Sequence, residues 1–186
     1  MSKNVDPTDV ASELKAMFPA DLPMEYPIGQ KYFYERKCYR TYYDMVIDLL
    51  FKTNKTRVDV TGTSGIGTSV FYGYFFNRFM SLNRNYTIIT ASFSEPVISV
   101  ALFKGNKLLG KCQGRSAYEC MVLKAKRAKR GGSEVIGLYD GPPEIVPSNP
   151  WKKVCFAVAN EEWFAMMSNY DTVHAIVGFE RTRCRS

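Results

Sequence analysis

Residues 59–76, DVTGTSGIGTSVFYGYFF, constrain this chain more than any other stretch, because three glycines within six residues separate a β-branched run from a long apolar one. The run before them, RVDVT at 57–61, has strand composition interrupted by Asp59, and residues 69–82 carry apolar and aromatic side chains at helical density. In a strand, glycine turn and helix, backbone N–H groups can close around phosphate oxygens while the helix N-terminus adds its positive dipole end. The plainer alternative is a glycine turn that only lets a strand pass into a helix.

Against the phosphate-loop pattern GxxxxGK[ST], the residues Gly62, Thr63, Ser64, Gly65, Ile66, Gly67, Thr68 and Ser69 keep both glycines and the final hydroxyl but place Thr68 where the lysine belongs. Ser69 stands where such a loop offers a hydroxyl to Mg²⁺. The missing ammonium is the group that reaches the outer phosphates, and a charge-assisted contact of that kind is worth about 1.5–3 kcal/mol. Binding of ATP or GTP with Mg²⁺ is therefore expected to be weak, and hydrolysis weaker still, since such cations stabilise charge that develops during phosphoryl transfer. Arg57, one strand upstream, is the cation considered as a substitute.

Elsewhere the chain alternates strands with helices. A short amphipathic helix is expected over 6–18, from Val10, Leu14, Met17 and Phe18, followed by a proline-broken linker. A second helix is expected within 32–52, with Tyr39, Tyr43, Val46, Ile47 and Leu50 on one face. Strands are read at 85–94, in a hairpin turning at Gly105-Asn106, at 133–140, at 152–160 and at 171–179, with helices at 116–130 and from 161. The expected fold is a three-layer α/β sandwich, a mostly parallel sheet with helices on both faces and a small β-hairpin insertion, whose ligand lies at the carboxyl ends of the strands.

With 186 residues, 46% of them hydrophobic, a single core is expected. No run approaches the roughly 18 apolar residues of a membrane span, and residues 1–15 lack a secretory signal's apolar region, so the chain reads as soluble. The five cysteines, at irregular spacing with no CxxC pair, read as mostly reduced thiols in a reducing compartment. A formal charge of +7 favours acidic partners such as nucleic acid or a membrane surface, and charge alone does not choose between them.

Taken together, FYERKCYRTYYDMVIDLL, VTGTSGIGTSVFYGYFFNRF, VIGLYDGPP and VCFAVANEEWF resemble the NTPase-like region of Crinkler effectors of oomycetes and some fungi, a family related to trypanosome retrotransposon hot spot proteins. The family's loop usually reads GTPGIGKS, so Ser64 and Thr68 are the departures here. The resemblance implies a P-loop NTPase-type domain over 32–179, preceded by an N-terminal helix and linker (1–31) and followed by a basic tail (180–186). It implies that Asp140 holds Mg²⁺ opposite Ser69 and that Asn160 is a polar sensor near the terminal phosphate. The residues alone equally allow a turn aspartate before Gly141 and a helix N-cap before Glu161. The resemblance further implies secretion, entry into a host cell and accumulation in its nucleus, although the family's secretion signal and translocation motif are not visible in these residues.

Residues 124–130, KAKRAKR, gather Lys124, Lys126, Arg127, Lys129 and Arg130 at the end of an expected helix. They read either as a solvated face completing the helix dipole or as a nuclear-localisation or nucleic-acid patch. Three functions remain open at this level. The first is a Crinkler-like effector module with a degenerate loop, acting on a host protein or nucleic acid. The others are a Mg²⁺-dependent nucleoside triphosphatase and a basic nucleic-acid-binding protein that uses no nucleotide.

Overall fold

The computed structural model describes residues 15–24, 31–63, 65, 67–93, 97–141, 149–158 and 174–179. Nine strands and three helices occur among them: β1 (Lys15–Met17), β2 (Tyr32–Tyr34), α1 (Lys37–Phe51), β3 (Arg57–Gly62), α2 (Thr68–Leu82), β4 (Thr87–Ser92), β5 (Ser99–Lys104), β6 (Lys107–Gln113), α3 (Arg115–Arg130), β7 (Val135–Asp140), β8 (Lys152–Val158) and β9 (His174–Phe179). Seven strands form one sheet in the order β6-β5-β4-β7-β8-β3-β9. The run β4-β7-β8-β3-β9 is parallel throughout, and the β5–β6 hairpin extends it antiparallel from β4. The α/β sandwich and the inserted hairpin expected from the sequence are both present, with Gly105 at φ 53° in the hairpin turn.

Side-chain alternation divides the sheet between two cores. Val58, Val60, Ile88, Ile136, Leu138, Val154 and Phe156 face α1 and α2 in one cluster. Ile89, Ala91, Val135, Tyr139 and Cys155 face the other way, in a cluster with Met121 and Ala125 of α3. The α2 core is aromatic: Phe71, Tyr72 and Phe75 surround Phe156 with ring centroids 5.8, 5.2 and 5.6 Å away. Each such ring contributes about 1.5–3 kcal/mol through burial. Tyr39 and Tyr43 of α1 close the layer against Tyr74 and Phe75.

Two sequence expectations change here. Residues 15–17, read as the end of a helix, form β1, which pairs antiparallel with β2. Phe18 then packs on Phe33 and on the helical glycine Gly73, where a Cβ would lie 2.9 Å from the ring. Residues 15–18 thus pack against β2 and α2. Cys38 is disulfide-bonded, while Cys112, Cys120 and Cys155 are free. The reading of reduced thiols holds for those three and fails for Cys38. The expected helix from residue 161 lies outside the described residues, as does the basic tail. Among the described residues no helix is long and apolar enough to cross a membrane.

Candidate phosphate-binding site

The connections around β3 determine where a ligand can enter. From β3 the chain passes through the glycine loop and α2 to β4, beyond β8 and β7, whereas after β8 it next enters the sheet as β9, on the far side of β3. Neighbouring strands β3 and β8 are therefore followed by connections that leave in opposite directions. Open α/β sheets bind ligands in the crevice such a divergence creates, at the carboxyl ends of the strands. The glycine loop opens at that point.

Within the loop, Gly65 and Gly67 have φ of 77° and 98°, a left-handed region that side chains with a Cβ enter at a cost of about 1–2 kcal/mol. A Cβ at Gly65 would meet nothing within 4 Å, so this backbone borders open space. Gly67 is the N-cap of α2, with no side-chain hydrogen bond capping the helix and no acidic residue in its first turn. The first amides of α2 thus keep the positive end of the helix dipole available to an anion. Thr63 is exposed, Ser69 half-buried and Thr68 7% exposed, so Thr68 packs inward, unlike an ammonium directed at phosphate. Ser64 and Ile66 lie outside the described residues.

Asp140, the last residue of β7, reaches the same edge. It is in register with Phe156 on β8, which is in register with Val60 on β3. Asp140 therefore sits two strands, about 10 Å, to the side of Val60 and shares the face that α2 covers. It is 1% exposed. Burial, then the nearby Asp140 carboxylate, hold the Tyr72 hydroxyl well above its ordinary pKa, which locates Asp140 beside Tyr72. Tyr72 is one turn on from Ser69 along the same flank of α2. Asp140 thus ends β7 on the face that α2 covers, and Ser69 lies in the first turn of that helix. Ser92, in register with Asp140, is fully buried and its hydroxyl has no hydrogen-bond partner. The sequence reading missed Ser92; its only signal is a hydroxyl closing a strand otherwise suited to a core.

The substitute cation differs from the expected one. Arg57 opens β3, five residues or roughly 16 Å before Gly62. Its Nε donates a 2.9 Å hydrogen bond to Asp59 Oδ1, both residues being buried on the face away from α2. Arg57 therefore cannot serve the loop. The cation that does reach it is Arg36, the residue before α1, whose guanidinium nitrogen would lie 3.5 Å from a Cβ placed on Gly67. No local pattern in the sequence links residues thirty-one positions apart, so this pairing is visible only in the fold.

The basic run occupies the opposite end of the molecule. Between β6 and β7, α3 descends from the carboxyl edge of the parallel strands to their amino edge, burying Met121 and Ala125. Lys124, Lys126, Arg127, Lys129 and Arg130 are exposed along its second half. Lys152 lies at the same edge, and burial together with the Lys129 charge lowers its pKa. Asn160, the expected sensor, is outside the described residues. Among those described, no group of three or more His, Cys, Asp or Glu side chains is placed to hold a metal. Magnesium needs fewer protein ligands than that, because it is commonly held by one or two carboxylates and the substrate's own phosphates.

No protein-family model, curated protein or solved structure matches this chain.

Proposed function

We propose that the chain is a Crinkler-like effector module whose degenerate loop binds a magnesium nucleoside triphosphate weakly, hydrolyses it poorly, and acts through nucleic acid or a host protein. The observation that carries this reading is the glycine loop at the sheet's switch point, with an uncapped α2 and Asp140 at the same carboxyl edge of the sheet. The donors fit a phosphate chain. The backbone around Gly65 and Gly67 and the first amides of α2 would hold the anion, and Ser69 and Asp140 would hold the metal. When bound, magnesium supplies neutralising charge on the phosphate oxygens. Poor turnover follows from Thr68, whose buried hydroxyl brings no charge to the loop.

Nucleic acid is the partner that α3 favours, because its cations are exposed on a helix edge that the core does not need. The Cys38 disulfide accords with passage through an oxidising compartment, and hence with secretion. Delivery to a host nucleus rests on the resemblance.

Calorimetric titration of the chain with Mg·ATP and Mg·GTP, beside Gly67→Asp, tests the proposal. The variant sets a carboxylate among the loop donors and against Arg36. Saturable binding by the natural chain that the variant loses is the expected result. Equal binding by both proteins, or none by either at millimolar nucleotide, would overturn the reading.

A further inference from the structure

Resting on that nucleotide-binding reading, we infer that Arg36 supplies in trans to the loop, from the start of α1, the phosphate-binding cation that Thr68 no longer provides. Three observations converge on it. The guanidinium of Arg36 lies beside Gly67, its terminal nitrogens and central carbon 3.5–3.7 Å from the position a Cβ would take. Any side chain at residue 67 would fill the space between the guanidinium and the loop backbone. Gly67 in turn heads α2 at φ 98° with no side-chain cap, so the cation and the helix dipole face the same anion. Finally, the fully buried and unpartnered Ser92 hydroxyl stands next to Asp140 on the face α2 covers, at this same carboxyl edge. Together these set a cation, a helix N-terminus and a buried unpartnered hydroxyl along one edge of the sheet.

Arginine suits the position chemically. Its planar fork donates two parallel hydrogen bonds to a phosphate and stays charged at every physiological pH, whereas a lysine is a single point charge. Backbone geometry fixes its origin: Arg36 is extended, with φ −75° and ψ 144°, and its carbonyl accepts from Tyr39 N at 2.9 Å to start α1. Since α1 packs on α2 through Tyr39, Tyr42 and Tyr43, the base of the arginine is held rigidly against the helix that carries the loop. The ligand class is a polyphosphate, and the contact is to phosphate with the base left unread.

The test is a titration with Mg·ATP and, separately, with magnesium tripolyphosphate. It compares the natural chain with Arg36→Ala, Arg36→Lys, Arg36→Ala combined with Thr68→Lys, and Lys37→Ala as a neighbouring-charge control. Arg36→Ala should weaken both ligands by a similar factor, roughly tenfold to a hundredfold. Lys37→Ala should change them less than about threefold, and Thr68→Lys should restore most of the loss. Thermal melts check folding, and Arg36→Lys, which keeps the charge, should bind between the natural chain and Arg36→Ala. Undiminished binding by Arg36→Ala in a chain that does bind would overturn this inference and leave the loop reading standing. Loss of ATP but not of tripolyphosphate would also overturn it. No binding by the natural chain would overturn both.

Discussion

Thr68 heads α2 and Asp140 ends β7 at the same edge of the sheet, and each bears differently on the proposed nucleotide site. Thr68 is 7% exposed and its short neutral side chain brings no charge to the loop, whereas Asp140 ends its strand on the sheet face that α2 covers, near enough to Tyr72 for its charge to act on that hydroxyl. If that carboxylate holds magnesium, its removal should act on the metal dependence of binding more than on binding itself. Asp140→Asn keeps size and hydrogen-bonding capacity while removing the charge, so its affinity for ATP should be nearly the same in magnesium and in EDTA. The natural chain should lose roughly tenfold or more on metal removal, the scale of one charge-assisted contact. Paired titrations of both proteins decide it, and an unchanged magnesium dependence in Asp140→Asn would remove Asp140 from the site. At this scale the loop glycines are candidates legible in adjacent residues, and Asp140 is a candidate through the family resemblance. Arg36 comes beside Gly67 through the packing of α1 on α2, and Ser92 beside Asp140 through the pairing of β4 with β7, neither of which local spacing encodes.

The contribution of α3 is separable from that of the other elements because it buries little. Met121 and Ala125 anchor it, and its last two turns are cationic and exposed. Reversing Lys126 and Arg127 to Glu should therefore leave the thermal midpoint within a few degrees. The same change should abolish binding to a DNA or RNA duplex, and the natural chain's affinity should fall steeply as salt is raised. Fluorescence anisotropy across a salt series measures both, and salt-insensitive or mutation-insensitive binding would exclude α3 as the nucleic-acid face. α2 is the contrasting element, apolar on nearly every side because it lies under α1 and against the sheet at once. That all-round burial made α2 easy to read, as did the strands, whose β-branched and apolar runs are bounded by turn residues. Only the end of the helix expected over 6–18 falls among the described residues, and it departs from that expectation for a related reason. Its apolar spacing fits a helix locally, but β1 gains hydrogen bonds from β2, and Phe18 fills the space that Gly73 leaves on α2. Tertiary contacts outweigh propensity in so short a segment.

Over the whole molecule, the two candidate functions occupy opposite edges of one sheet, the glycine loop at the carboxyl ends and the cations of α3 toward the amino ends. Parallel strand order, expected from alternating strands and helices, creates that polarity; the exact order is set by crossovers the sequence does not specify. Between the edges, the face opposite α2 carries a buried polar group of Arg57, Asp59, Lys153 and Cys155, brought together by the register of β3 with β8. This group gives the fold a measurable pH dependence. Burial lowers the Lys153 pKa to about 8, and its ammonium donates to the Asn149 carbonyl at 3.0 Å. Between that value and the ordinary lysine value near 10.4, the unfolded chain binds more protons than the native one, so this residue makes stability rise with pH. Below about pH 8 both states hold the proton, and the cost of the buried charge is constant. Two neighbouring trends have the opposite sign: burial pushes the Cys155 thiol far up and raises Tyr39 and Tyr43 to about 12, so stability falls once those groups ionise in the unfolded chain. Comparing Lys153→Met with the natural chain cancels these shared contributions. The stability of the variant relative to the natural chain should be highest at pH 7 and decline steadily between about pH 8 and 10, as the native lysine sheds its proton. Thermal midpoints of both proteins at pH 7, 8, 9 and 10 measure this. A difference that stays constant across the series would mean that Lys153 keeps its charge in the fold, and the buried group on that face would then be held by ion pairing instead of by neutralisation.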